Sequence, residues 1–213
     1  MVERMIKNLT EGYDGFEDTG IKAGIIKVAG HDLTDWEKKN FRAAAKVNEK
    51  LKAPIATHAC AGARTQMELL RENGANIDAT FYSHVECKWG WEGRSLEKEA
   101  EYLLDVAKSG GYLQFNNFDF EFDTPFPDML FLINYLDENG YGDRVFISID
   151  ANWVIEEDGS IWHEAEKDHP ETGKRTYAYA MTNAVPMLMS AGVSLQRINK
   201  YLIDNPRRFF ETK

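Results

Sequence analysis

Short, nearly unbroken apolar runs alternate along this chain with longer stretches in which apolar residues recur every three or four positions. The runs lie at 23–29 (AGIIKVA), 55–59 (IATHA), 79–84 (ATFYSH), 111–116 (GYLQFN) and 145–150 (VFISID). Runs of that length and continuity predict strands buried on both faces, as in a parallel sheet covered by helices. The stretches between them predict the helices. One starts at Thr34, where Thr34-Asp35-Trp36-Glu37 forms a capping box, and its apolar face continues through Phe41, Ala44, Ala45 and Leu51. Others cover roughly 63–73, 95–109 and 125–139, with Gly74, Gly110 and Gly140 placed to end them in a left-handed conformation.

Strand and helix in strict alternation define an α/β protein. Neither a Gly-x-Gly-x-x-Gly turn after the first strand nor a Walker loop is present, which removes the commonest reasons to expect an open nucleotide-binding sheet. A TIM (β/α)8-type barrel is the better expectation. A complete one takes about 250 residues, and only five strand-helix units can be counted in 213. The chain therefore reads as an incomplete barrel entered partway round. Its first segment, with Val2, Ile6 and Leu9 on one face, supplies the helix that precedes the first strand. No linker, repeat or shift in composition divides residues 1–213, so one domain is expected. The most irregular stretch is 151–175, and the chain closes on a helical region ending Asn205-Pro206-Arg207-Arg208-Phe209-Phe210.

A net charge of −10 disfavours nucleic acid and anionic membrane surfaces as partners. With no signal-peptide-like start and no apolar run of transmembrane length, a cytoplasmic location is expected. Cys60 and Cys87 are too few for a disulfide framework and lack CxxC spacing; small-residue packing is the expected role of both.

In a parallel barrel every strand opens its C-terminal end on the same face, so polar residues there converge however far apart they are in sequence. Lys27, His58, His84 and Asp150 meet that condition. Imidazoles and carboxylates suit Zn²⁺, Mn²⁺, Fe²⁺ or Co²⁺. A lysine inside an apolar strand is expected to be buried and so to need a partner, a lowered pKa or a chemical change; as a carbamate, formed with carbon dioxide, it becomes an anion able to bridge two ions.

The chain resembles the C-terminal two-thirds of a phosphotriesterase-like protein of the amidohydrolase superfamily, family strands 4 to 8. The resemblance is carried by Gly24-Ile25-Ile26-Lys27-Val28-Ala29, Thr57-His58-Ala59, Ser83-His84, Ser148-Ile149-Asp150 and Asn205-Pro206-Arg207-Arg208-Phe209. It implies a carboxylated Lys27 bridging two metals, zinc first among the candidates. It further implies His58 and His84 on one ion, with Asp150 on the other as ligand and catalytic proton acceptor. The implied activity is hydrolysis of a lactone, ester or phosphotriester, a small-molecule substrate, with metal-bound hydroxide as nucleophile. Two departures stand out. The family's first-strand His-x-His is absent from the chain, and Asn116-Asn117-Phe118-Asp119 replaces a relay histidine or substrate-facing arginine. An alternative follows: a truncated or split-gene fragment, binding metal weakly or not at all and inactive without a complementing N-terminal segment. A homo-oligomer that closes its sheet by self-association is a third possibility. Trp89, Trp91 and Phe118 to Phe126 are open to two readings, pocket lining or loop packing, while His163 and His169 are expected to face solvent.

Overall fold

The computed structural model describes residues 1–15, 17–59, 62–118, 124–151, 153–155, 161–163 and 177–211. Of the positions named above, Cys60, Asp119, Phe120, Phe122, His169 and the side chains of Trp89 and His163 lie outside the described set.

Five parallel strands stand in sequence order: β1 (Ile26–Ala29), β2 (Ile55–His58), β3 (Thr80–Ser83), β4 (Tyr112–Phe115) and β5 (Val145–Ile147). Each follows a helix, α1 (Val2–Thr10), α2 (Asp35–Leu51), α3 (Ala63–Glu72), α4 (Leu96–Lys108) and α5 (Phe126–Glu138) respectively. All five strands expected from the apolar runs are present, trimmed at their ends.

Local chemistry accounts for the element boundaries. Thr34 caps α2 through a complete capping box, its side chain accepting from the Glu37 N–H while Glu37 accepts from the Thr34 N–H. Ser95 caps α4 through its hydroxyl alone, accepting from the Lys98 N–H. Gly74, Gly110 and Gly140 take φ of 89°, 103° and 86°, the left-handed region expected after each helix.

Pairing register sorts the strand residues into two faces. Lys27 stands beside Ala56, Ala29 beside His58, His58 beside Ser83, and Gln114 beside Phe146. The alternate residues Ile26, Val28, Ile55, Tyr82, Leu113, Phe115, Val145 and Ile147 are buried under the helices. Phe41, Ala44, Val47, Leu70, Leu103, Leu132 and Ile133 meet them there.

The other face is divided. Near the strand N-termini, Phe81, Tyr112 and Phe146 form an aromatic floor with Phe209, which reaches in from the last helix with ring centres 5.5, 5.1 and 5.4 Å away. Toward the strand C-termini the face turns polar. The last helix, Asn205–Glu211, is docked by the buried Asn205, whose amide donates to the Gly142 carbonyl at 2.9 Å and the Val145 carbonyl at 2.7 Å. The closing Asn-Pro-Arg sequence thus clamps the chain end onto β5. Within the stretch expected to be irregular, β6 (Trp153–Ile155) and β7 (Ile161–His163) pair antiparallel as a small hairpin.

Candidate functional site

His58 ends β2, and its ring centre lies 4.4 Å from that of His84, the residue just past β3. Lys27 reaches across the same face, placing Nζ 3.4 Å from the Ser83 hydroxyl, which in turn donates to the Thr57 carbonyl. His58 is half-buried, and its pKa is pushed down to about 4. Burial is the first cause; the charges of His84, Lys27 and His31 add to it, and Asp150 opposes them. His84, Lys27 and Asp150 thus all lie within electrostatic reach of the His58 imidazole.

Lys27 differs from expectation in two respects: it is exposed, and it stands second in β1, beside Ala56, rather than at the strand's C-terminal end, so only its long side chain brings the amine toward the polar rim. Among the described residues β1 has a neighbouring strand on one side only, so water reaches the inner face across its outer edge. The desolvation penalty anticipated for a buried ammonium is therefore not what makes Lys27 unusual. Its position over Ser83 and beside His58 is.

Both His84 and Asp150 adopt positive φ, 57° and 46°. For residues with a Cβ this conformation is uncommon and is held only where the surroundings over-determine it. At His84 the restraint is visible. Its N–H donates to Asn116 Oδ1 at 2.9 Å, and the Asn116 amide lies 3.2 Å from the His84 Nδ1. The Asn116 and Asn117 N–H groups both donate to Glu86 Oε1, at 2.8 and 2.6 Å, and Thr124 donates to the Glu86 carbonyl at 2.7 Å. Glu86 and Asn116 are buried. The segment in which a relay histidine or arginine was missing thus serves as a brace that fixes the His84 ring. Cys87 is buried, with the Asn117 amide 2.9 Å from its sulfur, in line with a packing role. Trp91 and Phe118 are core residues rather than pocket lining.

The segment after His84 is anchored by a second buried charge. Glu99, on α4, accepts from Arg94 Nε at 2.7 Å, and the Arg94 guanidinium stacks 4.1 Å over the Tyr102 ring. Burial pushes the Glu99 carboxyl up from 4.5 to about 7, with Arg94 pulling the other way. The folded protein accordingly takes up a proton at Glu99 across that range while the unfolded chain does not, so this contribution to stability is full below pH 4.5 and is lost as pH rises through 7. We expect thermal unfolding followed by circular dichroism to show Glu99→Gln flattening the pH dependence of stability between 4.5 and 7, by roughly 2 kcal/mol. Parallel profiles for variant and wild type would remove Glu99 from this account.

One histidine at the site was not anticipated. His31, two residues past β1, has its ring centre 5.7 Å from that of His58. A single loop histidine in His31-Asp32-Leu33 carries no periodic signal; only its position after a strand end could have pointed to it.

Polar side chains gathered at the C-terminal ends of parallel strands, with helices outside the sheet, define a protein of the α/β-barrel class. The sequence profile of the phosphotriesterase family matches residues 1–210, and the chain belongs to that family. It is 30% identical over 210 residues to the phosphotriesterase homology protein of Mycobacterium tuberculosis (strain CDC 1551 / Oshkosh), covering 92% of this chain and 58% of that protein. It is 27% identical over 228 residues to the N-acetyltaurine hydrolase of Xenopus tropicalis, covering 100% of this chain and 59% of that one. Among solved structures it resembles a mutant PTE-like lactonase of Deinococcus radiodurans with a TM-score of 0.75 at 25% identity, covering 98% of this chain and 63% of the other. The chain thus spans about three fifths of the length of these relatives, and its fold is the incomplete (β/α)8-type barrel expected from the five strand-helix units. No helix among the described residues is long and apolar enough to cross a membrane.

The donor set can be tested against the divalent ion that the family implies. Among the described residues no three His, Cys, Asp or Glu side chains already stand in a geometry that could hold an ion. In kind, however, the donors fit: His58 has its lone pair available at neutral pH because burial disfavours its protonation, His84 lies against it, and Lys27 and Asp150 add two groups that are or can become anionic. They fit one ion at His58 and His84 better than two.

Proposed function

We propose that this chain is a divalent-metal-dependent hydrolase of lactones or esters, with phosphotriesters as a further substrate class. The observation that carries the reading is the His58–His84 pair at the ends of β2 and β3, with the Lys27 amine reaching Ser83 on the same face. The hydrolase and lactonase names borne by the relatives support it.

In this reading His58 and His84 would hold the cation through their imidazole nitrogens, and the Asn116 brace would keep His84 aimed. The Lys27 amine, as its free base, adds to carbon dioxide; a carbon–nitrogen bond forms, a proton leaves to solvent, and the resulting carbamate is an anionic ligand. A bound divalent ion acidifies water and polarises the oxygen that gains negative charge during hydrolysis. Asp150 accepts the proton released as water attacks, and its exposed position lets it pass that proton to solvent. The aromatic floor at Phe81, Tyr112 and Phe146 closes the inner face at its opposite end, which leaves substrate to enter from the strand C-termini.

The test is elemental analysis of purified protein, before and after incubation with Zn²⁺ and bicarbonate, alongside a screen of lactones, aryl esters and organophosphates. We expect about one ion per chain and metal-dependent turnover of at least one of these classes. Turnover unaffected by chelation, or none of any class in metal-loaded protein, overturns the reading of the chain as a hydrolase by itself. A second reading is favoured by β1, which among the described residues pairs on one side only: the site becomes active only when further strand-helix units pair with that edge. Weak or absent metal uptake together with no turnover is the result that selects it.

A further inference from the structure

We propose that residues 177–196 form a two-fold contact with a second copy of this chain, through the uncharged outer face of the helical run at 180–190. The contact is independent of the metal-hydrolase reading, and it uses the outside of the helices rather than either edge of the sheet.

Charge patterning is the first observation. Residues 177–196 contain no Asp, Glu, Lys, Arg or His, although 28% of the chain is charged and a stretch of that length would ordinarily hold about six such residues. A π-helical turn, Ala180–Ala184, runs directly into α6, Val185–Ser190. Ala184, Val185 and Leu188 are buried in the core, so the outer positions are those at which a surface helix sets its charges. Helix α4 does so, with Glu97, Lys98, Glu101, Asp105 and Lys108 exposed. In the run at 180–190 the exposed side chains are Met181, Thr182, Asn183, Pro186, Met189 and Ser190, all of them neutral.

Apolar exposure is the second. Tyr177 and Met181 are 76% and 64% exposed, more than any other large apolar side chain among the described residues, and Met189 and Leu195 are exposed with them. The same stretch, through Thr182, Asn183, Pro186, Met187 and Ser190, lines a groove of about 540 Å³ together with Phe126 from the start of α5. Exposed apolar surface rimmed by neutral polar groups marks a contact face, and the centres of such faces are poor in charge and rich in Tyr and Met. Projecting side chains and a groove on one stretch suit a two-fold contact, in which a single patch must serve as both halves.

Electrostatics selects a second copy as the occupant. The chain has a net charge of −10, so two copies repel wherever their exposed carboxylates meet. Screening acts over roughly 8 Å at physiological salt, which leaves the decision to charges next to the contact. This face brings none. At its margins the charges are already paired within the chain, Arg197 with Asp137 at 2.8 Å and Asp128 with Lys88 at 2.8 Å. A specific dimer draws on about 20–30 residues a side, and the exposed part of 177–196 with the start of α5 supplies the centre of such a face.

Sedimentation equilibrium of the purified chain at micromolar concentrations tests the contact. The dimer constant is read for wild type, Met181→Glu, Met181→Lys, an equal mixture of those two, and Trp36→Glu, with thermal melts confirming that each variant is folded. We expect wild type to dimerise and either Met181 variant to weaken the dimer at least about tenfold, because like charges then face each other across the two-fold axis. Mixing the two variants should recover affinity, since Glu then meets Lys. Trp36→Glu places the same charge on a residue of α2 that is 63% exposed, and should leave the constant unchanged. Monomeric wild type overturns the proposal. So does a dimer that Met181→Glu leaves intact, which assigns the contact to another surface, and so does equal weakening by Trp36→Glu, which assigns the effect to net charge. A mixture that recovers nothing overturns the two-fold arrangement.

Discussion

Lys27→Ala is expected to abolish both divalent-metal retention and hydrolysis, a loss of at least about a hundredfold in turnover, while leaving the fold intact. The two halves of that expectation have separate physical origins. Lys27 is exposed on the inner face, with Nζ 3.4 Å from the Ser83 hydroxyl. Truncating such a side chain changes stability by no more than about 0.5 kcal/mol. On the proposed reading the amine, once carboxylated, would offer the cation an anionic oxygen donor that Ala cannot replace. A lysine with only a packing or ion-pairing role would give the same melting temperature and also unchanged metal content and turnover. Elemental analysis and rate measurements on the variant therefore decide the question, and added bicarbonate supplies a second readout. Wild type should gain metal and activity with it; Lys27→Ala should gain neither. A variant that keeps its metal and its rate would end the assignment of Lys27 as a ligand.

The sheet was legible in the sequence because its outer face is completely covered. Ile26, Val28, Ile55, Leu113 and Val145 are apolar for a reason that involves nearest neighbours alone, and the resulting runs mark the strands directly. The start of α2 was legible for the same kind of reason, since the Thr34 and Glu37 exchange is complete within four residues. Features that depend on distant parts of the chain were not. The exposure of Lys27 follows from what stands beside β1, which its own apolar neighbours do not report. Glu86 has the composition of a solvated loop residue, yet the backbone N–H groups of Asn116 and Asn117 converge on its carboxylate and make it a buried anchor. The hairpin of β6 and β7 uses strands of three residues each, too short to show a period amid charged neighbours. His58, His84 and Asp150 could be singled out as candidates because the ends of the runs show where the strands stop, and Lys27 because it interrupts one of the runs. His31 lies two residues beyond a strand, in a loop whose conformation is fixed by Glu37 and Gln66 rather than by any local pattern.

Phe209→Ala is expected to destabilise the protein by about 3–5 kcal/mol, the largest stability effect of any single substitution discussed for this chain. Phe209 is 1% exposed and lies edge-on to Phe81, Tyr112 and Phe146, which themselves come from three different strands. Removing the ring deletes buried apolar area and leaves a cavity bounded by a rigid sheet that cannot collapse to fill it. Against a typical total of about 5–15 kcal/mol, the loss is a large part of what keeps a domain folded. The adjacent Phe210 supplies the control. It is 56% exposed, so Phe210→Ala should cost no more than about 0.5 kcal/mol although the residue type, helix and sequence neighbourhood are the same. Urea denaturation of the two variants separates burial in the floor from helix propensity, which both substitutions change equally. Similar midpoints for the two would mean that the aromatic floor does not hold the C-terminal helix to the sheet. A wide gap, with Phe209→Ala also loosening the strand ends that carry His58 and His84, would tie the packing at the base of the inner face to the precision of the groups at its rim.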